Sequence, residues 1–249
     1  MRGQNIVITM AGRGSRFYEA GYTVPKYEIV AHGQSLFYWS MLSLKNFLDT
    51  DSRLTFVCLA ENNSADYVYS ECNKLGLMNV HIVELPKITD GQATSAYVSR
   101  QFWQLDAPLL IYNIDTYVNP RALQPEQIRA GSDGWIPCFR VPGDHWSFVR
   151  LGEDEWATDV AEKNRISNDA SIGLYWFARA GDFIDAYEEF FSDPANLVKG
   201  ERYIAPLYKN FIQNNKKISI TDLPIPDVHV LGTPMELDIF LSKSASEIL

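Results

Sequence analysis

Residues 5–27 read NIVITMAGRGSRFYEAGYTVPKY. The stretch opens with the apolar run NIVITMA (5–11), which glycine bounds. A short apolar run stopped by a turn residue predicts a strand buried on both faces. Similar runs recur downstream, separated by helical patterns. The spacing predicts a helix over 35–48, a strand over 54–60 and a helix over 64–77 ending near Gly76. It then predicts a strand over 79–85, a helix over 93–105 and a strand over 108–115 ending in Asp115. This β-α-β-α-β-α-β order implies a parallel sheet with helices on both faces. Ligands of such sheets bind beyond the carboxyl ends of the strands. The loop after the first strand and Asp115 after the fourth are therefore expected to meet at one edge.

The second half has a different texture. Strand candidates at 133–141, 145–151, 156–163 and 171–177 follow closely on one another and suggest an antiparallel extension. Helices are expected at 180–192 and 201–214, a strand at 217–222 and a terminal helix at 234–246. No internal repeat, low-complexity tract or linker interrupts the chain. The expected fold is α/β: a Rossmann-like, mixed, mainly parallel sheet flanked by helices, with a smaller antiparallel extension. The expected organisation is one domain over 1–249, divided into halves 1–120 and 121–249.

The 249 residues are 46% hydrophobic and 21% charged, ordinary for a folded soluble protein. The net charge is −9 and the pI near 4.9. That acidity argues against a nucleic-acid or anionic-membrane partner, since both select basic surfaces. Yet Arg2, Arg13, Arg16 and Lys26 stand against Glu19 alone within residues 1–26. A small anion needs only such a local concentration of positive charge. The cysteines Cys58, Cys72 and Cys138 have no zinc spacing, and their odd number gives no disulfide framework. Cys58 and Cys138 lie in apolar runs and are expected in the core. No signal-peptide pattern or apolar run of membrane-spanning length is present, so a reduced cytoplasmic setting is expected.

A glycine-rich turn after a strand lets backbone N–H groups approach and cradle phosphate oxygens. The dinucleotide pattern GxGxxG fails because Phe17 stands where its third glycine belongs, and GxxxxGK[ST] is absent. What remains is GxGxRF, with the pair Pro25-Lys26 further on. Arginine offers phosphate a planar fork of donors, and lysine a compact charge.

AGRGSRF…PKY resembles the signature loop of the nucleotidyltransferases that make nucleoside-diphosphate sugars. Five further segments match in order: DGQATSA (90–96), IYNIDTYV (111–118), VAEKNRIS (160–167), SIGLYWF (171–177) and LGTPMEL (231–237). HWSFVRL and ERYIAPLYKNFI are similar to a bacterial subgroup found in capsule and surface-polysaccharide loci. Its members include sugar-phosphate nucleotidyltransferases and relatives that activate other phosphorylated small molecules with CTP. The resemblance implies transfer of NMP from an NTP (CTP, dTTP, UTP or GTP) to a phosphorylated small-molecule acceptor such as a sugar 1-phosphate, releasing pyrophosphate. The first half would bind the nucleotide, the second the acceptor. Ala11, Gly12, Arg13, Gly14 and Ser15 would surround the triphosphate. Arg16 would neutralise the β- and γ-phosphates, Lys26 the α-phosphate or the acceptor phosphate, and Lys163 the acceptor phosphate. Gly91 and Gln92 would contact the base, and Asp115 would carry Mg²⁺.

One position departs from the family pattern. Val230 stands where an aspartate, the second metal ligand, is often found, and Asp227 and His229 are the nearby substitutes. Met235 and Glu236 occupy positions often both acidic in the subgroup. Trp146, Arg150, Tyr175 and Arg202 are candidates for the acceptor pocket, with core packing the competing role for Trp146 and Tyr175. Met10, Phe17 and Tyr112 read as structural. The departure at Val230 keeps a second class open, a non-catalytic nucleotide-binding regulatory homologue. A third class, a glycosyltransferase, has no use for the triphosphate-neutralising GxGxRF and Pro-Lys. The identity of the base, the acceptor and the oligomeric state stay open.

Overall fold

The opening run forms strand β1 (Asn5–Thr9) in the interior of the main sheet. A computed structural model describes residues 3–249, and Arg2 of the basic segment lies outside them. Beyond the glycine-rich turn, helix α1 (Ser15–Glu19) buries Phe17. A small hairpin follows, β2 (Val30–Ala31) and β3 (Gln34–Ser35). Ser35 then caps helix α2 (Leu36–Ser43), accepting from the Tyr38 N–H at 3.1 Å. Strand β4 (Arg53–Leu59), helix α3 (Ala65–Lys74), strand β5 (Val80–Leu85), helix α4 (Gln92–Tyr97) and strand β6 (Leu109–Asn113) complete the alternation.

In space these strands run β5-β4-β1-β6, all parallel. The chain builds outward from β1 to β5, then returns to place β6 on the other side of β1. The crevice between β1 and β6 is therefore the switch point where such sheets bind ligands. Helices cover both faces, so alternate residues of one strand enter different cores. Val7 packs with Val57 and Ile111 on one face; Ile6 and Ile8 pack with Phe56, Leu110 and Tyr112 on the other. That double burial is why β1 reads as an unbroken apolar run.

The second half contributes β7 (Thr116–Val118), β8 (Gly134–Arg140), β9 (Ser147–Leu151), β10 (Ala157–Glu162), β11 (Asp169–Ser171) and β12 (Leu174–Phe177). Helices α5 (Ala180–Phe190) and α6 (Leu207–Gln213) follow, then β13 (Ile218–Asp222), β14 (Val228–Val230), α7 (Pro234–Leu241) and α8 (Ala245–Ile248). Strand β12 joins β6 antiparallel, so the extension continues the same sheet through β8, β11, β9 and β10. Strand β13 pairs with β8 in parallel. Strands β7 and β14 make a separate two-stranded sheet. Phe17, Trp39, Tyr117, Leu237 and Phe240 form a third core that anchors α1 and α7. Each such side chain contributes roughly 1.5–3 kcal/mol on burial.

Several expected elements end early. The predicted strand 171–177 splits at Gly173 (φ +82°), where a Cβ would lie 2.9 Å from Asn113 Cγ. The strand expected to end at Asp115 stops at Asn113, leaving Asp115 in a turn. The helices expected over 35–48 and 93–105 shorten to α2 and α4. The helix expected over 201–214 begins only at Leu207, because Pro206 disfavours helical backbone before it. Residues 201–205 instead form a loop, in which Arg202 exchanges backbone hydrogen bonds with Asp90 and Ala93. The terminal helix breaks before Ser244, whose side chain starts α8 through a capping box with Glu247. All three cysteines are buried. Among the described residues, no helix is long and apolar enough to cross a membrane.

Candidate active site

Thr9 and Asn113 end β1 and β6 in register as direct neighbours. The segments Met10–Gly12 and Ile114–Asp115 therefore leave the sheet side by side. Gln92, in the first turn of α4, ties the two strand ends together. Its Nε2 donates to Thr9 Oγ1 at 2.9 Å and to Asn113 Oδ1. Lys26 arrives from beyond α1, and its Nζ donates to Asp115 Oδ2 at 2.5 Å. The distant basic loop and Asp115 thus meet, as the topology requires.

Two cavities open on this edge. The first, about 330 Å³, is lined by Thr9, Ala11, Gly12, Lys26, Thr89, Gly91, Ser95 and Glu201. The second, about 300 Å³, is lined by Arg16, Trp146, Glu162, Lys163, Tyr175, Tyr203, Val230 and Glu236. Gln92, Asn113 and Asp115 line both. Arg16 faces the second cavity, not the first. Arg13 and Ser15 stand exposed on the turn and Gly14 holds its left-handed bend (φ +64°); these three line neither cavity.

The second cavity is built around Lys163. Its backbone takes φ +52°, its N–H donates to Trp146 O at 2.9 Å, and its Nζ donates to Tyr203 Oη. Beside it, Glu162 accepts from Ser147 Oγ, which also bonds Tyr175 Oη at 3.1 Å. Burial pushes the Glu162 carboxyl above the usual carboxylate range, while the Ser147 hydrogen bond and the Lys163 charge pull it partly back. Trp146 and Tyr175 line this cavity as expected of pocket candidates; Tyr175 is also nearly buried. Arg150 does not reach it and pairs with Asp159 at 3.7 Å. Arg202 sits behind Gly91, paired with Asp90 at 3.0 Å.

The structure separates the three residues around the metal position. Val230 faces the second cavity with Asp115, but with an apolar side chain. His229, its neighbour on β14, points to the opposite side, as strand alternation demands. There it stacks on Tyr117 at 5.4 Å and its Nδ1 meets Lys243 Nζ at 3.1 Å. Asp227 ends a short turn of helix before β14, where its carbonyl accepts from the Asn119 N–H. Phe17 and Tyr112 are buried, as their structural role predicts; Met10 is buried as well but also lines the first cavity.

His229 also sets an acid limit on stability. Burial, then the Lys243 charge, lowers its pKa to about 4 from an ordinary value near 6.5. The unfolded chain takes up this proton first, so the contribution is complete above pH 6.5 and declines as pH falls toward 4. Lowering the pH from 7 to 5 should cost about 2 kcal/mol through this group. Urea unfolding at both pH values, in the parent and in His229→Gln, should show a shallower pH slope in the variant.

Comparison with known proteins decides the family. No protein-family model matches this sequence, and no curated protein matches it. A solved nucleoside-diphosphate-sugar pyrophosphorylase from Vibrio cholerae RC9 is 34% identical, with a TM-score of 0.88 over 96% of this chain and 100% of that one. The chain belongs to the sugar-phosphate nucleotidyltransferase family. The fold is shared more widely. An inositol-1-phosphate CTP transferase from T. maritima matches with a TM-score of 0.75 at 15% identity, covering 96% of this chain and 94% of the other. A candidate glucose-1-phosphate thymidylyltransferase from Bacillus anthracis matches with a TM-score of 0.72, also at 15% identity and with the same coverage.

Members of this nucleotidyltransferase family are implied to use Mg²⁺, and the donor set here suits it. Asp115 Oδ2 and Glu236 Oε2 lie 3.1 and 3.6 Å from the point a Cβ on Gly232 would occupy. The absent side chain leaves a space edged by two carboxylates, hard oxygen donors of the kind Mg²⁺ takes. Among the described residues, no three His, Cys, Asp or Glu side chains converge on one point. One or two carboxylates completed by substrate phosphates is the ordinary arrangement for this ion.

Asn113, Glu201 and Tyr203 line the cavities without having been singled out from the sequence. Asn113 lies two residues before Asp115 in YNID, and its polar side chain at the end of an apolar strand was the available signal. Glu201 and Tyr203 lie in ERYIAPLYKNFI, the segment similar to the capsule-locus subgroup, but the helix expected there gave no reason to aim either side chain into a cavity.

Proposed function

We propose that this nucleotidyltransferase catalyses Mg²⁺-dependent transfer of NMP from an NTP to a phosphorylated small molecule, such as a sugar 1-phosphate. Pyrophosphate leaves. The observation that carries the reading is Asp115, which lines both cavities and is paired with Lys26 of the first. The first cavity takes the nucleotide and the second the acceptor, so the reacting phosphates meet at Asp115. An acceptor phosphate oxygen attacks the α-phosphorus; the new P–O bond forms as the bond to the pyrophosphate oxygen breaks. The attacking phosphate is already anionic, so no side chain need remove a proton.

The chain's task is to gather anions and hold them in line. Gly12 supports this role, because a Cβ there would meet no protein atom within 4 Å. Packing does not demand that glycine; close approach of a phosphate would. Lys163 holds the acceptor phosphate and Arg16 stands beside it to neutralise phosphate charge. Lys26 balances charge developing at the α-phosphate. Asp115 would hold Mg²⁺, which when bound supplies charge neutralisation to the triphosphate. Gly91 and Gln92 stand where the nucleoside enters. We place the reaction in the cytoplasm, where NTPs are available, and its product in capsule or surface-polysaccharide synthesis.

The test is pyrophosphate release with CTP, dTTP, UTP and GTP against a panel of sugar 1-phosphates, polyol phosphates and other phosphate monoesters, with Mg²⁺ present. One NTP with one acceptor class should stand out. Calorimetric NTP binding without turnover on every acceptor would instead support a regulatory homologue.

A further inference from the structure

The geometry points to Glu236 as the second carboxylate of the divalent-cation site, replacing the aspartate missing at position 230. This rests on the reading of Asp115 as a Mg²⁺ ligand.

Lys26 Nζ lies 2.5 Å from Asp115 Oδ2, so the ammonium occupies one oxygen of the only carboxylate so far assigned to the ion. With Lys26 partly neutralising Asp115, a second carboxylate would strengthen the hold on a divalent cation, which must share Oδ2 with the ammonium or take Oδ1. Val230 faces the same cavity with no oxygen to offer. The segment after it is pinned to Asp115: Leu231 N–H donates to the Asp115 carbonyl at 2.8 Å. Gly232 comes next, and the space above it is edged by Asp115 Oδ2 and Glu236 Oε2.

Glu236 is also held in place. Thr233 Oγ1 accepts from the Glu236 N–H at 3.2 Å and donates to Glu236 Oε2 at 2.8 Å. This is the start of α7, one turn in which the Thr233 side chain satisfies a free helix N–H. One hydrogen bond from Thr233 leaves most of the carboxylate's acceptor capacity unused. Capping alone needs no charge, since glutamine serves the same position. A carboxylate fixed by its cap, facing Asp115 across the Gly232 gap, is preorganised for a cation.

The distinction between cap and ligand gives the test. Mn²⁺ binding to the full chain is measured by electron paramagnetic resonance, with and without a non-hydrolysable α,β-methylene CTP. Unfolding of each variant is followed in parallel. Glu236→Gln should keep the parent's stability but weaken Mn²⁺ binding by at least about tenfold, on the scale by which metal-site partners act. Val230→Asp in that background should restore binding, because position 230 already faces the cavity. Asp115→Asn should weaken binding at least as much as Glu236→Gln. Unchanged Mn²⁺ affinity in Glu236→Gln, with Asp115→Asn impaired, overturns the role of Glu236 and leaves that of Asp115 standing. Unchanged affinity in Asp115→Asn, or no Mn²⁺ binding by the parent, overturns the metal reading itself and Glu236 with it.

Discussion

Lys26→Ala should lower kcat by roughly 10²–10³-fold, the cost of removing one preorganised charge from a site where anionic charge develops. The fold should survive. Lys26 and Asp115 both keep some solvent contact, with side chains 18% and 23% exposed, and neither belongs to a core. The pair is mostly buried, so leaving Asp115 without its partner costs about 1–3 kcal/mol, still short of unfolding a domain of this size. Asp115→Ala should likewise abolish most turnover and stay folded, but its defect should reach Mn²⁺ affinity as well. Pyrophosphate release at saturating NTP and acceptor, beside thermal unfolding of the same samples, separates chemistry from stability. Near-parental kcat in Lys26→Ala would remove that residue from the mechanism.

Strands β1, β4 and β6 were legible because each is buried on both faces, leaving no alternation to obscure the apolar run; β5, at the sheet edge, is only partly buried. The order of those strands then placed the basic loop and Asp115 together with no knowledge of tertiary contacts. Lys26 and Asp115 are 89 residues apart, yet the geometry brings them into contact. The parts that could not be read are those that exist only through contact between distant segments. Gly173 interrupts a run of strand formers because Asn113 needs the space. Glu201–Tyr203 looked helical, but Arg202 exchanges backbone hydrogen bonds with the start of α4 instead. His229 and Val230 are neighbours in sequence and both bordered the metal question. Only their strand register shows that one enters a core and the other the cavity.

Glu236 marks a further limit of reading motifs by position. Its spacing from Thr233 signals a helix cap, and that signal is correct. Nothing in the spacing says that the cap faces Asp115 across Gly232. One side chain can satisfy a helix terminus and still present oxygens to an ion, so a correct local reading does not exhaust its role.

Gly91→Ala should damage both stability and catalysis. Gly91 has φ +143° and ψ 171°, a region occupied almost only by glycine. A Cβ there would lie 2.6 Å from Arg202 N and 2.7 Å from Arg202 C, with the carbonyl oxygen closer still. Those atoms cannot yield cheaply. Arg202 N–H donates to Asp90 O at 2.7 Å, and Ala93 N–H donates to Arg202 O at 3.0 Å. Relief requires either a new backbone conformation at Gly91 or expulsion of the 201–203 segment. Strain and overpacking each cost about 1–3 kcal/mol, so the loss should be about 3 kcal/mol or more. Expelling the segment would also pull Tyr203 away from Lys163 and Glu201 out of the first cavity, raising KM for both substrates. Urea unfolding and faster proteolysis within residues 196–206 would register the change. Gly12→Ala supplies the contrast: with no protein atom in reach of its Cβ, it should unfold like the parent and lose activity alone.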